Sequence, residues 1–373
     1  MSEWKEYKLG EIYDFSSGLS KPRSEFGFGY GFLSYKDIFH NYFVPNNLTE
    51  LVNSTEKERK NCSILRGDVF LTRTSETDEE LGMSCVSLND YPDATFNGFA
   101  KRLRPNGRIK IFPEYAGFLF RSSKFRATIS GISSLTTRAS LNNEMLSSLS
   151  ILIPPIEEQR KIYVILKSIH DKIDLLRRQN ATLEKMAETL FRQWFVEEAK
   201  EEWSPVLLDS LISITSGKSI KRESFIENGL YPILGANGEI GRTNEFLYED
   251  RLIYTGRVGT LGNIFRIENE KIWLTDNTLI INPVNFYNFI YFILKLNKLE
   301  EYNIGSTQPL IRQSDIKEIE VMLPDIDTLS KFESVSNIIF KKVATNINQI
   351  QTLISLRDTL LPKLMNGEVI VKM

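Results

Sequence analysis

The chain has 373 residues, 42% hydrophobic and 25% charged, long enough to bury more than one core. Its 46 basic and 48 acidic residues leave a net charge of −2, which excludes a protein that is basic throughout. Two cysteines (Cys62, Cys85) and two histidines (His40, His170) without ligand spacing exclude a disulfide framework or a zinc knuckle and suit a reducing cytoplasm.

The opening stretch, MSEWKEYKLGEIYDF, carries acids and no small-residue cleavage site, so no secretory signal is expected. No run of about 18 apolar residues predicts a membrane span. In the first region, 67–74 (GDVFLTRT) and 94–105 (ATFNGFAKRLRP) alternate and are rich in β-branched or aromatic residues, which predicts strands. Residues 155–198 then predict one long helix. Ile162, Leu166, Ile169, Ile173, Leu176, Asn180, Leu183, Ala187, Leu190 and Trp194 recur at spacings of four and three, a heptad seam. Pro154 and Pro155 punctuate its start, and Glu157 and Glu158 suit the positive end of the helix dipole. A second mixed region has strand patterns at 251–259, 262–267 and 272–281 and a helical one at 286–299. A second long helix is predicted over 325–366. Phe332, Ile339, Val343, Asn346, Ile350, Leu353, Leu360 and Leu364 hold its seam, Ser336 and Arg357 interrupt it, and Asn366-Gly367 stops it.

The chain also repeats itself. Trp4, Leu9, Ile12 and Gly18 match Trp203, Leu208, Leu211 and Gly217 at an offset of 199. Thr137, Leu141, Leu146 and Pro154 match Thr307, Ile311, Ile316 and Pro324 at an offset of 170, so the first copy has the longer middle. The fold expected is α+β, a pseudo-twofold internal repeat with boundaries at 1–153, 154–202, 203–323 and 324–373. A helix of this length spans about 60 Å and does not stand alone in water with an apolar seam. Either each is the core helix of an ordinary domain, or the two pair, antiparallel because a whole domain separates them. One Asn in each seam would then help to fix register. Residues 1–153 hold 19 basic and 18 acidic residues and 203–323 hold 12 and 15, so neither half is a basic domain.

Several catalytic look-alikes fail. Gly217-Lys218-Ser219 lacks the earlier P-loop glycine, since position 212 is Ile. The glycines at 235, 238 and 241 and at 256, 259 and 262 do not lead from a strand into a helix of a dinucleotide-binding unit. The run Phe26–Gly31 lacks the aromatic two residues before Gly27 that a methyltransferase cofactor loop usually shows, and Ile153-Pro154-Pro155-Ile156 is not the adenine-methyltransferase signature. No metal ligand set is read either.

Half-repeats ending in a Gly-Ser-Thr-Gln-Pro-like turn, an apolar strand, Pro-Pro and a long helix resemble the specificity subunits of Type I restriction-modification enzymes. Gly305–Pro309 keeps the turn in full, whereas Leu135–Ala139 departs from it. Pro155–Gln159 and Leu190–Phe195 are similar to the family's start and end of the central helix, and Leu360–Glu368 to the end of the distal one. Pro324–Asp327 has lost the second Pro and the Glu-Gln pair. The resemblance implies two target-recognition domains, each reading half of a bipartite site in double-stranded DNA, and helices that set the spacer. It implies no catalysis by this chain, which would be a cytoplasmic protein holding no cofactor. Two methyltransferase (modification) subunits would bring S-adenosylmethionine. A restriction subunit, translocase and nuclease, would bring ATP and Mg.

Candidate DNA contacts are planar donors and acceptors near predicted loops. In the first domain they are Ser20, Lys21, Arg23, Tyr35, Lys36, Thr72, Arg73 and Thr74, with Lys101, Arg102 and Arg104 as a phosphate strip. In the second they are Lys218, Lys221, Arg222, Asn237, Arg242, Thr243, Arg257 and Asn277. Thr72 and Asn277 fall in strand-like runs, where a structural role competes. Helix pairing and partner docking fall to Ile162, Leu166, Ile169, Ile173, Leu176, Leu183, Leu190 and Trp194, with Ile339, Val343, Ile350, Leu353, Leu360 and Leu364. Two other classes stay open: a coiled-coil adaptor with two protein-binding heads, and a self-contained methyltransferase or nuclease.

Overall fold

The computed structural model describes residues 4–73, 81–133, 141–259, 261–303, 309–369 and 371. The chain divides into two compact units, residues 1–175 with 349–373 and residues 176–348.

In the first unit the strands are β1 (Lys5–Lys8), β2 (Tyr13–Ser17), β3 (Phe26–Leu33), β4 (Glu50–Val52), β5 (Val69–Thr72), β6 (Ser84–Val86), β7 (Thr95–Phe96), β8 (Ala100–Pro105) and β9 (Ser150–Ile153). They form a four-stranded sheet β2-β8-β5-β6, a three-stranded sheet β4-β3-β7 and a pair β1-β9. The second unit has β10 (Ser204–Leu207), β11 (Ile212–Ser216), β12 (Tyr231–Gly235), β13 (Gly238–Thr243), β14 (Leu252–Gly256), β15 (Ile264–Ile267), β16 (Trp273–Leu274), β17 (Thr278–Pro283) and β18 (Glu320–Leu323). Its sheets repeat the plan: β11-β17-β14-β15, β13-β12-β16 and β10-β18. The repeat seen in the sequence is a repeat of topology. Two runs expected as single strands are broken. Residues 94–105 split into β7 and β8, and 272–281 into β16 and β17, so Asn277 sits in an exposed turn and not in a strand.

The central helix runs from Ile156 to Arg192 and the distal helix from Ile326 to Met365. Gln159, almost fully buried, fixes the start of the first: its Nε2 donates to the Pro154 carbonyl and its Oε1 accepts the Phe112 N–H, both at 2.8 Å. The distal copy has Leu329 in this place, buried, with Asp325 accepting the Thr328 N–H at 2.8 Å as an N-cap. Gly367, at φ +73°, ends the distal helix in a left-handed turn, and the Glu368 N–H reaches back to the Lys363 carbonyl at 3.0 Å.

Both helices are built into the cores. In the first unit Ile162 and Leu166 pack with Leu9, Phe118 and Ile153 and with Leu361, Leu364 and Met365 of the distal helix. In the second, Ala187, Phe191 and Phe195 pack with Phe289, Phe292, Phe332, Ile339 and Phe340. Pairing partners run in opposite senses in the second unit: Asn180 meets Asn346, while Trp194, further along, meets Phe332, which is earlier. The helices are therefore antiparallel. Ser336 and Arg357 do not break the seam. Ser336 is buried and donates to the Phe332 carbonyl at 2.7 Å, and Arg357 lies over the Tyr42 ring. At the far end of the central helix the buried stripe moves to Phe191 and Phe195, leaving Leu190 and Trp194 half-buried. A π-helical turn over Gln193–Glu197 follows.

Candidate nucleic-acid interface

In both units the chain connections gather at one end of the four-stranded sheet. Ser17 at the end of β2 opposes Lys101, and Thr72 at the end of β5 opposes Ala100, so β2 and β5 finish where β8 begins. In the second unit Ser216 opposes Leu279 and Gly256 opposes Thr278. A close backbone approach shapes each end. A Cβ on Gly18 would lie 2.2 Å from the Asn97 carbonyl oxygen, and one on Gly217 would lie 2.1 Å from that of Thr275. Only glycine fits there.

The residue after β5 is Arg73 and the residue after β14 is Arg257. The Arg73 N–H donates to the Phe99 carbonyl at 2.9 Å, and its own carbonyl accepts the Leu141 N–H at 3.0 Å. The Arg257 N–H donates to the Asn277 carbonyl at 2.8 Å, and its carbonyl accepts the Ile311 N–H at 3.0 Å. Arg73 Nη1 donates to Ser17 Oγ at 3.4 Å, and Lys101 Nζ donates to the same oxygen at 3.0 Å and to Asn143 Oδ1 at 2.8 Å. Burial, and then the Arg73 charge, hold the Lys101 amine below its ordinary pKa. In the second unit Gln313 Nε2 donates to Ser216 Oγ at 3.2 Å.

Lys101, Arg102 and Arg104 do not line one exposed face. Along a strand successive side chains face opposite ways, so Lys101 separates from Arg102 and Arg104. Both arginines are occupied. Arg102 donates to the Ser63 carbonyl at 2.6 Å, and burial followed by Arg104 lowers its pKa. Arg104 forms a bidentate pair with the fully buried Asp68, at 2.8 and 2.5 Å.

Thr72 is also buried, its hydroxyl accepting the Met83 N–H at 2.9 Å, and Thr243 is buried and accepts from Glu245 N–H at 3.3 Å. Neither residue is open to solvent. Arg242 is held by the Gly229 and Leu230 carbonyls and by Glu239. Lys21 pairs with Glu58 at 2.9 Å. The Thr55 N–H, and then Lys21, draw the Glu58 carboxyl down to about 2. Tyr35 is half-buried and stacked with Phe39. Ser20, Arg23, Lys36, Lys218, Lys221, Arg222, Arg257 and Asn277 are exposed. Asn237 is exposed and accepts from Asn263 Nδ2 at 2.7 Å. Thr74 lies outside the described residues, as do Leu135–Ala139 and Gly305–Gln308 of the two turns. Of the candidates, the sheet end brings together Arg73 and Lys101 in one unit and Lys218, Arg257 and Asn277 in the other. Sequence reading missed Ser17, Asn143, Ser216 and Gln313, although they lie in or beside the repeat-matched segments. It also missed Phe99, an aromatic 60% exposed at the same end.

Two copies of one mixed domain, each offering an arginine from the same sheet end, define a two-headed recognition protein. The chain belongs to the family of the Type I restriction modification DNA specificity domain, which matches residues 1–185 and again 200–352. It is similar to the Type I restriction enzyme MjaIX specificity subunit of Methanocaldococcus jannaschii, 27% identical over 98% of this chain and 92% of that one. The HindI specificity subunit of Haemophilus influenzae is 30% identical over 53% of this chain and 42% of the relative. The crystal structure of the Type-I restriction-modification system S subunit from M. genitalium shares the fold, with a TM-score of 0.61 at 16% identity over 100% of this chain and 97% of that one. Among the described residues no helix is long and apolar enough to cross a membrane.

Proposed function

We propose that the chain is the DNA-reading subunit of a Type I restriction-modification assembly, each unit recognising one half of a two-part site. The observation that carries this is the duplicated sheet end: the same backbone clamp holds Arg73 in one unit and Arg257 in the other. The long helices set the gap between the half-sites and dock two modification subunits, whose bound S-adenosylmethionine supplies the methyl group. A restriction subunit using ATP and Mg joins for cleavage, and this chain makes and breaks no covalent bond itself. The setting is cytoplasmic. With a net charge of −2, the chain depends on its partners for part of the phosphate contact that dominates DNA affinity.

The test is modified-base sequencing of DNA from cells expressing a cognate modification subunit with and without this chain. Methyladenine at a two-part motif with a fixed gap, only when the chain is present, is expected. If both proteins are produced and associated and no chain-dependent methylation appears, the reading fails and a protein-binding adaptor takes its place.

A further inference from the structure

The backbone hydrogen bonds give each residue at one sheet end a counterpart at the other. Leu19 and Lys218 correspond, because their N–H groups donate to the Phe96 and Leu274 carbonyls at 2.8 and 2.9 Å. Asn97 and Thr275 correspond through the Leu33 and Leu234 carbonyls, each at 3.0 Å. Ala100 and Thr278 close the two turns on Asn97 and Thr275, again at 3.0 Å. Phe99 therefore answers to Asn277, Lys101 to Leu279, Ser17 to Ser216, Asn143 to Gln313 and Arg73 to Arg257.

This correspondence sorts shared groups from divergent ones. Ser17 and Ser216 are identical, as are Arg73 and Arg257; the Gln313 amide bonds Ser216 directly, whereas the Lys101 amine bridges Ser17 and the Asn143 amide. The exposed residue that precedes β8 or β17, in contrast, is an aromatic in one unit and an amide in the other. Two heads serving a symmetric site would need matched reading surfaces. These differ, which on the reading that each unit binds one half-site implies half-sites of unlike sequence. What unlike half-sites have in common is the phosphodiester backbone, which positions a protein without specifying sequence.

On the reading that each unit binds one half-site, we propose that Arg73 and Arg257 are sequence-blind anchors that each take a DNA backbone phosphate. Discrimination then comes from the divergent neighbours, Phe99 and Asn277. A guanidinium suits a phosphate through two parallel N–H···O bonds. The peptide groups on both sides of each arginine are hydrogen-bonded to neighbouring segments, so the side chain starts from a fixed point. The rival role, a bidentate contact to guanine O6 and N7, would tie the same base into both half-sites.

The experiment uses the complex of this chain with its modification subunits. Its probes are a duplex carrying the methylated two-part motif and a duplex with both half-sites scrambled, each titrated over a salt series. Arg73→Ala and Arg257→Ala are expected to weaken both duplexes by the same factor, and to flatten the salt dependence by about 0.9 per arginine. Arg73→Lys and Arg257→Lys, which keep the charge, restore the slope. Asn277→Ala lowers the preference for the motif without changing the slope. An alanine variant that weakens the motif duplex more than the scrambled one makes the arginine a base reader and overturns the proposal alone. So does an alanine variant that assembles normally and keeps the wild-type slope. A wild-type complex that does not distinguish the two duplexes overturns the two-part reading and this proposal together.

Discussion

Asn346 Nδ2 donates to Asn180 Oδ1 at 2.8 Å, joining the one polar residue of the central seam to its counterpart in the distal helix. Asn346 is fully buried, its Nδ2 also lies 3.3 Å from Gln179 Oε1, and Asn180 Nδ2 reaches the Val343 carbonyl at 3.5 Å. Moving one helix by a turn against the other would leave these amides facing hydrocarbon. Buried amides of this kind favour one register at a cost in stability.

The pair should show that cost in a double-mutant cycle. Asn180→Leu takes the nearer acceptor from the buried Asn346 amide and is expected to destabilise the protein by about 1–3 kcal/mol. Asn180→Leu with Asn346→Leu removes both polar groups and should return to wild-type stability or exceed it. Denaturant unfolding of the four proteins reads the coupling. If the double variant is as unstable as the two losses added, the amides are independent and the register argument fails.

The pair was legible in part. The period of the two helices and the asparagine in each seam stand in the sequence, and so do the matched Trp4, Gly18 and Pro154 of the repeat. Ser336 and Arg357 looked like breaks because hydrophobicity alone was counted, yet a serine bonded to its own helix and an arginine over a ring fill seam positions. The equivalence of Arg73 and Arg257 was hidden, since insertions shift the offset between copies and only the backbone hydrogen bonds restore it. Lys101, Arg102 and Arg104 misled for a different reason. Their partners, Asn143, Ser63 and Asp68, lie 36 or more residues away, and no local pattern announces them.

Arg104 is therefore expected to act on stability and not on DNA. Asp68 is fully buried, and beyond Arg104 its Oδ2 accepts the Leu65 N–H at 2.8 Å. Arg104→Ala leaves that carboxylate unpaired, and breaking a buried pair from one side costs about 3–5 kcal/mol. Thermal unfolding should show the loss, while the salt dependence of DNA binding by the folded complex stays at the wild-type slope. A flattened slope with unchanged stability would return Arg104 to the phosphate contacts.

His170 gives the first unit a pH dependence. Its ring packs against Tyr42, Phe43 and Phe118, with centroids 5.1, 6.3 and 6.1 Å away. Burial lowers its pKa below the ordinary 6.5. Asp174 and Asp171 oppose the shift, and Arg357 and Lys167 add to it. The unfolded chain thus binds this proton first as pH falls. Stability from the neutral ring is complete above about 6.5 and is lost as pH drops from there toward the folded value. His170→Phe should remove that part of the decline as pH falls below about 6.5. If wild type and variant lose stability in parallel over this range, the histidine does not titrate as its surroundings require.

The long helices invite a test of length. Deleting one heptad from the central helix and the matching heptad from the distal helix keeps both seams in phase, because the pattern repeats every seven residues. Seven residues rise about 10 Å along a helix, or about three base pairs at about 3.4 Å each. The Asn180–Asn346 pair must survive the deletion, so the heptads removed lie to one side of it within the same unit. Modified-base sequencing of cells carrying the shortened chain is expected to return the same two half-sites with a gap reduced by about three base pairs. Rotation of one half-site about the duplex accompanies that change, so activity is expected to fall even where the motif is still methylated. An unchanged gap in a still-active shortened protein would mean that the helices do not set the spacing, and that the distance between the half-sites is fixed by the docked subunits instead.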